Sequence, residues 1–188
     1  FFFYFIFMSS KQSVATKNYN QGLKFLRGNT VQRNKRTAAN YFKTAADLGH
    51  VRSMCQYAEM LFVGDGIEKN QFLASFYYQK AADLGNSVAC TNYARMLFNG
   101  TGIPVNKELA ATYFKKAADK NDIESKYYYG LLLQNGDGVP KNIDEATKYI
   151  KEAAEGGFID AYLTYAFAQA YRIRVINSSS NKIVAKSH

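Results

Sequence analysis

The sequence predicts an all-α protein, an α/α superhelix (solenoid) of stacked antiparallel helix pairs with a 36-residue repeat. Two observations carry this prediction. A Gly-x-Gly turn recurs every 36 residues, at Gly64–Gly66, Gly100–Gly102 and Gly136–Gly138. Each turn separates an aromatic-rich segment from one that ends in paired alanines, Ala81-Ala82, Ala117-Ala118 and Ala153-Ala154. Such periods are typical of repeat arrays, whose units bury their apolar faces by stacking on one another.

The first half of each repeat is predicted to be a helix that ends at the first turn glycine. In the central repeat, Ala89, Tyr93 and Leu97 stand on one helical face. Gly100 follows, and glycine takes the left-handed conformation that ends a helix without steric cost. We expect the second glycine, Gly102, to let the chain turn sharply.

The second half of each repeat is predicted to be a helix that begins at an asparagine. The asparagine side chain accepts a hydrogen bond from a backbone N–H that would otherwise lack a partner. Asn142 is also followed by Glu145, which is a capping-box pattern. The recurring alanines allow neighbouring helices to approach closely, so we expect tight packing at Ala82, Ala118 and Ala154. The capping asparagines are Asn70, Asn106 and Asn142.

The repeat frame divides the chain into seven segments. Thr30 stands at the second glycine position of the first repeat, so that repeat is degenerate. Arg172 and Arg174 replace both turn glycines near the end, so we expect the array to stop partway through a repeat. The predicted segments are a lead-in outside the fold (1–14), a degenerate repeat (15–50), three complete repeats (51–86, 87–122, 123–158), a partial repeat (159–176) and a disordered tail (177–188).

The first eight residues are almost wholly apolar, running from Phe1 to Met8. As a helix they would span about 12 Å, which is far short of the ~30 Å core of a bilayer. Three interpretations stay open: the end of a longer segment or an artefact of translation, the remnant of a signal or membrane anchor, and a hydrophobic lead-in. Contact with a membrane therefore also stays open.

The net charge of +9 is concentrated at the ends of the chain. Residues 1–50 carry eight Lys or Arg and one Asp, a net +7, whereas residues 51–158 carry twelve basic and thirteen acidic residues, a net −1. A solenoid that binds nucleic acid needs a basic stripe along its binding face, so this distribution argues against a nucleic-acid partner. Binding of nucleic acid stays open only through the basic cluster of the first repeat, which consists of Lys24, Arg27, Arg33, Lys35 and Arg36.

The residue types that carry catalysis or bind metals do not form a recognisable site. Cys55 and Cys90 stand outside any CxxC spacing, which favours two buried free thiols in a reducing compartment. His50 has no Cys or Asp partner set nearby, and the Gly-Asp-Gly turns lack the features of phosphate or calcium loops. We expect no enzyme, no cofactor or metal and no small-molecule substrate. The expected location is the cytoplasm, or the secretory pathway if the N-terminus is a signal or anchor remnant.

The middle of the chain resembles the Sel1-like repeat family, a branch of the tetratricopeptide-like solenoids. The resemblance implies an α/α superhelix that acts as a scaffold for protein assemblies, with the first helices on its concave side. The paired cysteines of the family's cysteine-rich branch are missing. The frame that carries the resemblance is Tyr93-Ala94-x-x-Leu97-x-x-Gly100-x-Gly102-Ile103-x-x-Asn106, followed by Ala110-x-x-Tyr113-Phe114-x-Lys116-Ala117-Ala118-Asp119.

Each first helix carries one stripe of residues that the structural frame does not use. They fall at i, i+4 and i+7 spacing, which places them on one side of a helix. With the first helices on the concave side, we expect these stripes to form a groove for a protein or peptide partner. The predicted groove residues are Arg52, Gln56, Glu59, Asn92, Arg95, Tyr128, Leu131, Phe167 and Tyr171.

The function predicted from these features is a protein–protein interaction scaffold or adaptor. An alternative stays open, in which the chain is a regulatory or targeting repeat segment of a larger enzyme such as a protein kinase. The identity of the partner does not follow from the sequence.

Overall fold

The structure is a computed structural model that describes residues 2–28 and 30–170, with side chains from Ser10 onward. All regular elements within these residues are helices. Each of α1 to α8 packs against the helices that precede and follow it in the chain, which confirms the predicted solenoid. The helices are α1 (Phe2–Arg27), α2 (Lys35–Asp47), α3 (Val51–Val63), α4 (Gln71–Asp83), α5 (Ser87–Asn99), α6 (Lys107–Ala118), α7 (Ile123–Asn135), α8 (Ile143–Glu155) and α9 (helical at 159–170).

Helix α1 is longer than the sequence predicts. The expected lead-in is continuous with the first helix, because no proline and no glycine before Gly22 interrupts the run from Phe2. The side chains of residues 10–14 are nevertheless exposed, and Ala15 is fully buried. Packing of α1 among the described side chains thus begins where the first repeat was expected to begin. The predicted tail, 177–188, lies outside the described residues.

A left-handed glycine ends the first helix of each complete repeat, as the sequence predicts. Gly100 has a φ of 71°, and its N–H bonds to the carbonyl of Met96. Gly64 and Gly136 have the same conformation. The N–H of Asn106 then donates to the carbonyl of Leu97 at 2.9 Å. This bond ties the end of the connection back to the first helix.

The second turn glycine lies against the preceding repeat. A Cβ on Gly102 would stand 2.5 Å from the Cβ of Gln71, the first residue of α4. Gly66 and Gly138 approach the starts of α2 and α6 in the same way. The sequence predicts this glycine only as a point of turning, whereas the structure also requires it for contact between repeats. Thr30 occupies the position in the first repeat, where no second helix precedes it within the described residues.

Asparagine caps the second helix of every repeat, as predicted. The side-chain oxygen of Asn106 accepts the N–H of Leu109 at 2.9 Å. The capping box differs from the expectation, because the N–H of Asn142 already bonds to the carbonyl of Leu133. Glu145 instead accepts a bond from the side-chain amide of Asn142 at 3.1 Å. The equivalent caps are Asn34, Asn70 and Asn142.

Tyrosine pairs join the two helices within each complete repeat. In all three pairs the rings meet edge to face, a favourable arrangement for aromatic side chains. Their centroids lie 5.0, 4.9 and 5.1 Å apart in Tyr57–Tyr77, Tyr93–Tyr113 and Tyr129–Tyr149. The alanines one turn earlier on the second helices are at most 1% exposed, namely Ala74, Ala110 and Ala146.

Packing loosens at the C-terminal end of the array. Ala82 and Ala118 are buried as the sequence predicts, but the expectation of equal packing at Ala154 is wrong, since Ala154 is half-buried. Ala154 belongs to a small separate cluster around Ile150 and Ala161, between α8 and α9. No helix after α9 is described that could cover this end further.

Polar bonds also connect successive repeats. The hydroxyl of Tyr77 donates to Asp47 at 2.8 Å, and that of Tyr113 donates to Asp83 at 2.7 Å. Burial, followed by this hydrogen bond to Asp83, raises the pKa of Tyr113. Because Asp83 stands near the end of a helix, its sequence position suggests a solvated surface carboxylate. In the structure that carboxylate accepts the hydrogen bond of Tyr113 from the next repeat.

Candidate protein-binding surface

The predicted groove residues differ in exposure. We call them the first-helix stripe, because the described ones lie on α3, α5, α7 and α9. Tyr171 lies outside the described residues. Of the other eight, three side chains are exposed and five are half-buried. The exposed ones are Arg52, Glu59 and Phe167, and the half-buried ones are Gln56, Asn92, Arg95, Tyr128 and Leu131.

The carboxylate of Glu59 is held by a tyrosine from the other helix of its repeat. The hydroxyl of Tyr78, a buried residue of α4, donates to Glu59 Oε2 at 2.5 Å. Burial and the bond to Glu59 both raise the pKa of Tyr78, while the positive charge of Arg95 acts in the opposite direction. Glu59 is therefore oriented by the core, and Arg95 lies close enough to influence the same hydroxyl.

Arg95 joins two neighbouring first helices at the centre of the stripe. Its guanidinium donates to Asn92 at 2.7 Å within α5 and to Glu124 of α7 at 3.1 Å. The side chains of Arg95 and Glu124 are 39% and 31% exposed, so the pair remains accessible from one side. The sequence places Asn92 and Arg95 on one face of α5, and the structure also brings Glu124 of α7 into contact with Arg95.

Tyr128 forms the border between the stripe and the core. Its ring stacks on Phe114 with centroids 5.2 Å apart and lies 5.7 Å from the ring of Phe98. Burial raises the pKa of its hydroxyl, and the charge of Glu124 raises it further, while Arg95 lowers it. The hydroxyl is thus within electrostatic reach of Arg95 and Glu124, while the ring supports the core.

The two apolar stripe residues at the C-terminal end have different surroundings. Leu131 packs against the small cluster between α8 and α9 and is half-buried. Phe167 on α9 is 73% exposed. Thr164, one turn earlier, lies 3.4 Å from the hydroxyl of Tyr127 and so connects α9 to α7. Of the described aromatic residues in the stripe, Phe167 is the one that offers most of its ring to a partner.

Two features of this surface do not follow from the stripe pattern. Beneath the stripe, Thr91 and Ser125 share a buried hydrogen bond of 2.8 Å that joins α5 to α7. On α1, Asn20, Leu23 and Arg27 line a depression. The 36-residue spacing applied one step earlier would have found these α1 positions, since they match Gln56, Glu59 and Val63.

The residues with reactive side chains serve the fold. His50 is the N-cap of α3, and its Nδ1 accepts the N–H of Ser53 at 3.2 Å. Cys55 and Cys90 are free and buried. Burial raises the pKa of the Cys55 thiol to about 11. Within the described ranges, no three His, Cys, Asp or Glu side chains group as metal ligands would.

The basic cluster of the first repeat is partly neutralised. Lys35 forms an ion pair with Asp65 in the turn of the next repeat. Lys107 repeats this contact with Asp137 at 2.8 Å, so the pair is a joint between repeats. In the part of the chain that the structure describes, none of the helices combines the length and apolar character needed to cross a membrane.

Comparison with known proteins agrees with this architecture. The family model for the Sel1 repeat matches residues 17–50, 51–86, 87–122 and 123–158. Among solved structures, the chain is similar to a Sel1 repeat protein from Oxalobacter formigenes, with a TM-score of 0.76 and 26% identity over 81% of this chain and 63% of that one. No curated protein sequence matches the chain.

Two further structures share the fold. One is c5321, a protective antigen of uropathogenic Escherichia coli strains that displays an SLR fold, with a TM-score of 0.76 and 25% identity over 83% of this chain and 34% of that one. The other is cysteine rich protein B of Helicobacter pylori, with a TM-score of 0.52 and 27% identity over 71% and 96%. The chain thus spans less than two thirds of the length of the first two proteins. Its four matched repeats, which cover most of the sequence, show that it belongs to the Sel1 repeat family.

Proposed function

We propose that this chain is an interaction scaffold that binds a peptide or domain of a partner protein along the first-helix stripe. Sel1 repeat proteins generally serve as protein-interaction scaffolds. The observation that supports this particular surface is the Arg95 guanidinium, held between Asn92 and Glu124 and within electrostatic reach of the Tyr128 hydroxyl. Arginine and tyrosine are enriched among the residues that dominate binding energy at interfaces.

The fixed geometry of the stripe favours binding. Glu59 is oriented by Tyr78, and Tyr128 is oriented by its stacking on Phe114. Side chains that are already ordered lose little conformational freedom when a partner binds, so less of the contact energy is spent on ordering them. The partner is therefore expected to meet a preformed surface.

Site-specific photo-crosslinking in cells tests the proposal. A photoreactive amino acid replaces Arg52 or Phe167, which are both exposed and therefore tolerate replacement. The matched control carries it at Lys148, an exposed position on the second helix α8. We expect the two stripe positions to capture the same protein and the control to capture none of it. Capture of that protein from position 148 with equal yield would refute the proposal.

Arg95→Ala then measures the contribution of the central side chain to affinity for the captured protein. We expect the dissociation constant to rise on the order of tenfold or more, the effect of losing an interface hot spot. Lys148→Ala should leave it unchanged. Arg95→Ala is preferable to Tyr128→Ala, because Tyr128 supports the core and its removal would mix binding with stability.

We also propose that the chain works in the cytoplasm. Two buried free thiols support a reducing compartment. Fractionation of cells that express the tagged protein tests this, and recovery with the secretory membranes would contradict it.

A further inference from the structure

An apolar stripe lies on the outer face of α4, opposite the buried face of that helix. Phe72 is 71% exposed, Phe76 is 45% exposed and Leu84 is 60% exposed. With Lys80 they follow one another at intervals of four residues, which aligns them along one side of the helix. We call these four residues the α4 outer stripe. The buried side chains of α4 point the other way, into the core.

The fold does not require aromatic residues at these positions. The other second helices have the same caps, lengths of 12 or 13 residues and inward-facing alanines, but polar side chains at the equivalents of Phe72, Phe76 and Lys80. Exposed phenylalanines at Phe72 and Phe76 therefore contribute little to packing and mark a contact surface. The equivalent residues are Arg36, Asn40 and Thr44 in α2, Glu108, Thr112 and Lys116 in α6, and Asp144, Lys148 and Glu152 in α8.

The surroundings of this stripe carry excess positive charge. Three cations at or beside it form no ion pair within residues 10–28 and 30–170. They are Lys69, just before the helix, Lys80 on the helix, and Lys120, whose Nζ donates to the carbonyl of Gly85. Lys80 lies over the ring of Phe76, 4.5 Å from its centroid. Of the nearby carboxylates, Asp47, on which the charge of Lys80 acts, is already paired with Lys43 and accepts the Tyr77 hydroxyl. Glu68 lines a depression together with Arg36, and Asp83 accepts the Tyr113 hydroxyl.

We propose that the α4 outer stripe binds an acidic amphipathic segment of a partner protein. Apolar side chains of that segment would cover Phe72 and Phe76, and its carboxylates would meet Lys80 and the neighbouring cations. Amphipathic helices recognise proteins in this way, with apolar anchors one turn apart. A second copy of this chain fits less well, because it would bring two positively charged surfaces together. This surface is separate from the first-helix stripe and does not rest on the function proposed for it.

Fluorescence anisotropy with a defined probe tests the proposal on the full chain. The probe is a labelled 16-residue helical peptide with leucine along one face and glutamate at the other positions. Its counterpart carries lysine in place of glutamate. We expect the glutamate peptide to bind at least about tenfold more tightly than the lysine peptide, and to bind more weakly as salt is raised.

Three variants connect that binding to the stripe. The double variant Phe72→Ser, Phe76→Thr and the single variant Lys80→Glu should each raise the dissociation constant on the order of tenfold or more. Both keep side-chain types that other exposed helix positions tolerate, and circular dichroism checks that they fold. Val88→Ser removes an exposed apolar side chain from α5 and should leave binding unchanged.

Several outcomes would overturn the proposal. They are equal affinity of the wild type and the double variant, preference for the lysine peptide, and no binding of the glutamate peptide. Sedimentation velocity of the protein alone measures its self-association and provides one further outcome that would overturn the proposal. Self-association that the double variant abolishes would assign the stripe to a second copy instead.

Discussion

Single polar side chains hold the start of the first helix in each of the three complete repeats. His50, Asn86 and Asp122 stand at equivalent positions, and each accepts a backbone N–H three residues further on. Asparagine and aspartate are common helix caps, whereas histidine is not. The cap at His50 works only while Nδ1 is unprotonated, because a protonated ring nitrogen cannot accept the N–H of Ser53.

The His50 cap should make the stability of the fold depend on pH. Burial, followed by the charge of Arg52, lowers the pKa of His50 below its ordinary value of 6.5. Between the two pKa values the unfolded chain binds more protons than the folded one. The stability that the neutral His50 cap contributes is therefore fully present above about pH 6.5 and is lost as the pH falls below that value. We expect the free energy of unfolding, measured with urea, to be lower at pH 5.5 than at pH 7.5.

His50→Asn isolates this effect. Asparagine caps α5 at the equivalent position, with Asn86 accepting the N–H of Ala89 at 2.9 Å. The variant should keep the cap and lose the part of the pH dependence that His50 causes. His188 is common to both proteins and cancels in the comparison. An identical change in stability between the two pH values for wild type and variant would contradict the assignment.

At the level of elements, the Gly-x-Gly connection is the joint between repeats. Its first glycine ends a helix, and its second lets the backbone touch the second helix of the preceding repeat. Between these two, Asp137 also pairs with Lys107 of the preceding repeat at 2.8 Å. Asp65 pairs with Lys35 at the first joint in the same way, whereas Thr101 and Gln71 stand at the equivalent positions of the middle joint, where both charges are absent. The connection therefore fixes both the pairing of helices and the stacking of repeats.

Substitution of Gly102 should show both roles at once. An alanine there would have to adopt a φ near 74° and would place its Cβ 2.5 Å from that of Gln71. We expect Gly102→Ala to reduce the free energy of unfolding by about 2–4 kcal/mol, the sum of backbone strain and displaced packing. Urea denaturation followed by circular dichroism provides the measurement.

Gly49→Ala is the matched control for Gly102→Ala. Gly49 has a φ of 94°, but no atom lies within 4 Å of a Cβ built there. Only the cost of the left-handed backbone conformation applies at Gly49, so Gly49→Ala should reduce the free energy of unfolding by about 1–2 kcal/mol. Equal losses for the two variants would mean that the contact with the preceding repeat contributes nothing.

The recurring elements could be predicted from the sequence because they depend on local chemistry. The caps at Asn70 and Asn106 and the left-handed Gly100 follow from residue type and spacing alone. The contact of Gly102 with Gln71 could not be predicted, because it depends on how one repeat stacks on the last.

In the candidate surface, too, the contacts between neighbouring helices could not be predicted from the sequence. Spacing puts Arg95 and Tyr128 in the stripe of the first helices, and the structure shows both to be half-buried. Their partners Glu124 and Phe114 come from neighbouring helices, and the ring of Tyr128 is therefore committed to the core. The exposed stripe at Phe72 and Phe76 could not be predicted from the repeat pattern. That pattern identifies residues that recur, and these aromatic residues do not recur on the exposed side of the other second helices.

For the whole molecule, the arrangement of contacts is one-dimensional. Each helix from α1 to α8 packs mainly on its neighbours in the chain, so the buried cluster that runs from α2 to α8 is assembled from contacts between successive helices. The ends have fewer neighbours than the middle. Helix α9 is held through Ala161, which is fully buried against Ile150 and Ala153, while much of its remaining surface is exposed.

This arrangement predicts that damage at one end stays local. Ala161→Glu would place a charge in the contact between α8 and α9 and release α9. Hydrogen exchange should then become faster in α8 and α9, by roughly tenfold or more, while α2 to α4 keep their rates because they share no contact with the altered site. Ala166→Glu, at an exposed position of α9, should leave all rates unchanged. Equal acceleration along the whole chain would show instead that the solenoid unfolds as a single cooperative unit.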